Sequence, residues 1–165
     1  MKTILTRLVF LCFALNLVAC STITMQSQLD QQTATRLQAS IGSTIFRLNR
    51  ISDLPNAFGK ADLYGGKVDR GYAEVKFLGV NERNELILSV TDINRSSTET
   101  TMDRYTPAAR MQIQNTMTIG GGASPDTTTK FLFDPKKESE LSIAGVRVQF
   151  IEVKPYSVTY ILSTK

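Results

Sequence analysis

Histidine and tryptophan are absent from all 165 residues, and cysteine occurs only twice. Without imidazole, neither a Ser-His-Asp nor a Cys-His arrangement can be assembled, which removes the commonest hydrolase mechanisms. Zinc loses its usual ligands, and no Asp-x-Asp-x-Asp-Gly loop is present for calcium, so no metal and no cofactor are expected. The missing indole takes away the broadest surface for stacking on sugar rings or bases. Charge of one sign is also scarce, with 19 basic against 15 acidic residues and no dense Lys/Arg stripe, so nucleic acid is not an expected partner.

The remaining catalytic options are thin. Glu138 and Glu140 would share one face of an extended segment, and a glycosidase needs two carboxylates about 5–9 Å apart. They stand beside a turn, however, where solvated charges are the ordinary occupants. Asp62 and Asp69 flank Gly65-Gly66 and are expected to be hairpin charges paired with Lys60 and Lys67. Lys136-Lys137 followed by Ser139 lacks the Ser-x-x-Lys order of a serine-lysine dyad. Gly120 to Gly122 leads into Ser124-Pro125 and another strand, not into a helix carrying a lysine, which argues against a phosphate loop. No enzyme activity is expected.

Long apolar runs are nearly missing too. One stands at residues 8 to 19, interrupted by Asn16 and preceded by Lys2 and Arg7. As a helix it would rise only about 18 Å against a hydrocarbon core of about 30 Å, so it reads as the charged and apolar parts of a secretory signal. The run ends in Leu17-Val18-Ala19-Cys20. These four residues resemble, position by position, the lipobox of bacterial lipoproteins. The resemblance covers about the first 20 residues and does not extend to the folded body.

It implies that the Cys20 thiol carries diacylglycerol, that the chain is cut before Cys20, and that in many Gram-negative bacteria the new amine is acylated as well. Ser21, where an aspartate would imply retention at the inner membrane of enteric-type bacteria, implies the outer membrane, periplasmic face. Cutting there discards Cys12 and leaves Cys20 as the only thiol, so an intramolecular disulfide is ruled out. Lipidation accounts for a lone thiol in an oxidising compartment, and two or more acyl chains give durable attachment. Loss of Lys2 and Arg7 leaves a net charge of about +2 on a mature chain whose length fits one domain.

Residues 20 to 41 are rich in Gln, Thr and Ser and read as a lipidated terminus followed by a polar tether. As a flexible coil, about 20 residues would hold a domain on the order of 25 Å from the membrane. The folded body, residues 42 to 165, reads as all-β. Alternation or strand-forming composition marks Thr44 to Leu48, Tyr72 to Val80, Leu86 to Ile93, Met111 to Ile119 and Lys130 to Phe133. Thr98 to Met102, dense in threonine, is expected to continue the meander. Asn81 to Glu85 has hairpin length, and a small hairpin is expected to turn at Gly65-Gly66. Gly120 to Asp126 and Asp134 to Lys137 read as loop and turn. Leu141 and Ile143, then Val146 to Phe150, then Tyr156 to Leu162 give three further strands. Eight or nine short strands with frequent turns predict a small antiparallel β-barrel or β-sandwich.

The segment Leu54 to Arg70 is as long as irregular connections become before a function is suspected. Its aromatics, Phe58 and Tyr64, are rimmed by Lys60, Lys67 and Arg70. Such rings form either a partner-binding surface or a cap folded back over one end of the domain. The expected function is a non-catalytic, membrane-anchored envelope lipoprotein that binds protein partners in assembly, secretion or maintenance. The alternatives are a β-barrel carrying a lipid, peptide or cell-wall fragment and, behind it, a carboxylate hydrolase.

Overall fold

The computed structural model describes residues 22–105 and 127–164. In chain order the strands are β1 (Met25–Leu29), β2 (Arg36–Ser40), β3 (Thr44–Asp53), β4 (Lys67–Val80) and β5 (Leu86–Asn94). A single helical turn follows, α1 (Thr101–Tyr105), and then β6 (Thr127–Phe133), β7 (Glu140–Ile143), β8 (Val146–Lys154) and β9 (Ser157–Thr164). The all-β expectation holds. Two antiparallel sheets form, one ordered β1-β3-β4-β5-β6 and the other β2-β9-β8-β7. Each ends in edge strands, and no closed barrel is found among the described residues.

The expected hairpins fall where the turn chemistry puts them. β4 and β5 pair from Gly71 opposite Asn94 to Val80 opposite Leu86. Their connection is closed by Asn81, whose side-chain oxygen accepts from the Arg83 and Glu85 amides at 2.9 Å each. β7 and β8 turn at Ala144-Gly145, both with positive φ, as a two-residue hairpin turn matched to strand twist requires.

Four expectations need correction or qualification. Residues 25–29 and 36–40, read as tether, are strands, and β2 pairs with β9 from Arg36–Ile161 to Ser40–Ser157. β1 is exposed except at Leu29 and shows no alternation, whereas β2 alternates over only five residues, with Leu37 and Ala39 inward between exposed polar side chains. Thr98 to Met102 does not extend the meander. Thr100 instead caps α1, its amide and hydroxyl donating to the Asp103 carboxylate at 2.9 and 2.7 Å while the Asp103 amide reaches back to the hydroxyl. This reciprocal cap outweighs the strand preference of threonine. The small hairpin turns at Ala57 to Gly59, with a bridge between Pro55 and Ala61, and not at Gly65-Gly66. The signal segment with Cys20 and Ser21, the strand expected at Met111 to Ile119 and the loop expected at Gly120 to Asp126 lie outside the described residues.

The described chain divides into two compact units. Residues 26–51, 69–97 and 127–164 form a sheet unit; residues 22–25, 52–68 and 98–105 form a loop unit. The sheet unit buries one apolar cluster drawn from both sheets, including Phe46, Phe77 and Leu88 from one and Val148, Val158 and Leu162 from the other. Tyr160 of β9 stands in it, its hydroxyl donating to the Ile45 carbonyl of β3 at 2.7 Å. Burial pushes that phenol up to about 12 and keeps it a neutral donor.

Gly71 opens the paired part of β4 at φ +98, where a Cβ would lie 1.8 Å from the Ile93 carbonyl oxygen. Gly42 shares the left-handed conformation, but a Cβ there meets nothing within 4 Å. Gly42→Ala should therefore cost only the backbone strain, about 1–2 kcal/mol. Gly71→Ala must in addition displace a paired strand, and should cost more than about 4 kcal/mol in urea unfolding; equal losses would show that the β4–β5 approach is looser than described.

Candidate functional site

The loop unit is organised around Asp53, the last residue of β3. Its carboxylate accepts from the Thr24 amide at 2.9 Å and from the Thr24 hydroxyl at 2.6 Å, and pairs with Lys67. The Asp53 amide donates in return to the Thr24 carbonyl at 3.1 Å. The Lys67 ammonium, then the two Thr24 donors, hold the Asp53 carboxyl well below the usual carboxylate range. Thr24 is thereby fixed to the folded body through both backbone and side chain.

The 54–66 segment is irregular in trace and ordered in its bonding. Leu54 is fully buried, and its amide donates to the Gly66 carbonyl while its own carbonyl accepts from the Asp62 amide, both at 2.8 Å. Asn56 acts as a local cap, its side-chain oxygen accepting from the Phe58 amide at 2.9 Å and the Lys60 amide at 3.0 Å. The Asp62 carboxylate accepts from the Gly66 amide at 3.0 Å and the Thr101 hydroxyl at 3.3 Å. The Thr101 amide donates to the Pro55 carbonyl at 2.8 Å, tying α1 to the segment. Arg104 forks onto Glu99 at 2.7 and 2.8 Å and donates to the Lys67 carbonyl at 2.9 Å.

On this frame stand the two aromatics singled out by sequence, and neither folds back as a cap. Phe58 is 89 % exposed and Tyr64 is 81 % exposed. Leu63, Met102 and Tyr105 of the same unit are exposed as well. The Tyr64 and Tyr105 rings meet edge to face with centroids 5.7 Å apart. Met102 and Tyr105, three residues apart on α1, are neighbours on one helix face. Five large apolar side chains are thus exposed in this unit, and the Tyr64 and Tyr105 rings among them are in contact.

The basic rim expected around these rings is only partly assembled. Lys60 is exposed near Phe58, but Lys67 is spent on Asp53. Arg70 belongs to the sheet unit, where it donates to the Ser97 carbonyl at 3.1 Å. Asp62 and Asp69 do not take the expected lysine partners: Asp62 accepts from the Gly66 amide and the Thr101 hydroxyl, Lys67 pairs with Asp53, and Asp69 pairs with Arg95 and accepts from the Gly71 amide. Glu138 lies exposed in the turn after β6, and Glu140, also exposed, opens β7 opposite Gln149. Leu63, Met102 and Tyr105 escaped the sequence reading. Thr100-x-x-Asp103 was the signal that could have found α1 and its exposed face.

No family model matches the chain, and no curated protein or solved structure matches it either.

Asp53→Ala should abolish the protection of the Thr24 amide in hydrogen exchange while leaving the sheet unit's protection intact. Because the folded carboxyl titrates below its ordinary value, its stabilising effect is present at neutral pH and is lost only as pH falls through the lowered value. The Thr24 protection factor should therefore hold from neutral pH down to about pH 4, the ordinary carboxyl range. Loss of protection near pH 5 would contradict the Thr24–Asp53–Lys67 clamp.

Proposed function

We propose that the chain is a bacterial lipoprotein, anchored through Cys20 to the periplasmic face of the outer membrane, with a non-catalytic binding or structural role in the envelope. The observation that carries this reading is the joining of the lipobox to a body that begins almost at once. Thr24, four residues beyond Cys20, is already bonded to Asp53. A chain built this way works at the membrane it is attached to.

The sheet unit is a β-sandwich in this reading, supported by one cluster buried between residues of both sheets and by the Tyr160–Ile45 bond joining β9 to β3. Two sheets with edges, filled between by packed side chains, suit a rigid platform for protein contacts better than a carrier's container. Leu132 on edge strand β6 and Tyr156 at the β8–β9 turn are exposed apolar side chains on that platform.

Cys20→Ser should release the protein from the membrane fraction or leave an unprocessed precursor. Normal processing with membrane recovery would overturn the anchor. Crosslinking in intact cells, read by mass spectrometry, should join the anchored protein to another envelope protein through the sheet unit. Absence of any protein crosslink from a correctly anchored chain would count against the binding role.

A further inference from the structure

We propose that the exposed apolar side chains of the loop unit, the touching rings of Tyr64 and Tyr105 together with Phe58, Leu63 and Met102, rest in the lipid headgroup layer of the membrane that Cys20 anchors. The inference rests on the lipid-anchor reading and names the partner of this surface. Its first support is reach. Thr24 stands four positions beyond Cys20, so full extension allows about 14 Å between them, against the roughly 25 Å of a free 20-residue coil. Thr24 is bonded to Asp53 inside the loop unit itself, so that unit is the part of the body held to the bilayer.

The second support is chemistry. Tyrosine and phenylalanine present an apolar ring, and tyrosine adds a polar tip, which suits the boundary between acyl chains and water. That boundary is several ångströms deep on each side of the hydrocarbon core, enough to take side chains without burying backbone. Lys60, two residues from Phe58, is exposed and carries the charge that anionic headgroups attract.

The third is order. Asn56, Asp62 and Thr101 already hold the segment by hydrogen bonds, so laying its rings on a surface requires little further loss of chain freedom. A protein partner on the same surface is the competing occupant.

The chain's lack of tryptophan makes the test direct, because one introduced indole is the only one present. The full-length lipidated protein carrying Tyr64→Trp would be reconstituted into vesicles of phosphatidylethanolamine and phosphatidylglycerol, with and without bromine near the top of the acyl chains. Phe58→Trp provides a second reporter should Tyr64→Trp fold poorly. The expected result is emission shifted to shorter wavelength, with loss of intensity in brominated vesicles. Emission of a water-exposed indole, equal in both vesicles, overturns the proposal while leaving the anchor intact, because the protein still floats with the lipid. Protein that does not float overturns the anchor, and the proposal with it. Loss of a protein crosslink in intact cells on Phe58→Ala or Tyr64→Ala, with flotation unchanged, assigns the surface to a protein and likewise overturns it.

Discussion

The Asp53 carboxylate converts what composition describes as a tether into part of the folded body. It takes both donors of Thr24 and the ammonium of Lys67, joining the chain's entry, the end of β3 and the start of β4 at one point. Hydrogen bonds to an ionised acceptor are about twice as strong as neutral ones, which is why the exposed Thr24 can be held at Asp53 without burying apolar surface. Everything proposed about the protein's position depends on this contact. If Thr24 is fixed, the distance from Cys20 to the body is set by four residues.

The two compact units divide the physical work. The sheet unit is stabilised by area: its buried side chains come from seven of the nine strands and leave water together, and Tyr160 satisfies the Ile45 carbonyl inside. The loop unit has a small interior, chiefly Leu54, Ala61 and Val68, and is held by hydrogen bonds and ion pairs. Its apolar side chains are largely outside. An ordered frame that displays rings to solvent stands against the ordinary direction of burial, and the proposed contact with the membrane would supply a physical reason for it.

Much of the fold was legible because the strands that build the core are one-sided. Val146, Val148, Val158, Tyr160 and Leu162 alternate with outward residues, and Asn81 to Glu85 and Ala144-Gly145 carry the chemistry of their turns. β1 was hidden because little apolar surface is committed in it, and β2 because its alternation is only five residues long, with Leu37 its one large inward side chain. The turn of the small hairpin was misplaced because Asn56, a side-chain cap, directs it, whereas Gly65-Gly66 offered only permissive backbone. Of the candidate site, Phe58 and Tyr64 were visible as aromatics in a long connection. The Thr24–Asp53 bond spans 29 positions and has no local signature. The exposed α1 face was masked by the strand preference of Thr98 to Thr101.

The central claim, that the body sits against the membrane of its proposed lipid anchor, is read most directly by neutron reflectometry of the lipidated protein on a supported bilayer. Protein density beginning within the headgroup layer, with no separate hydrated gap, is the predicted profile. A water-filled gap of about 25 Å, the span of a free 20-residue coil, would contradict it.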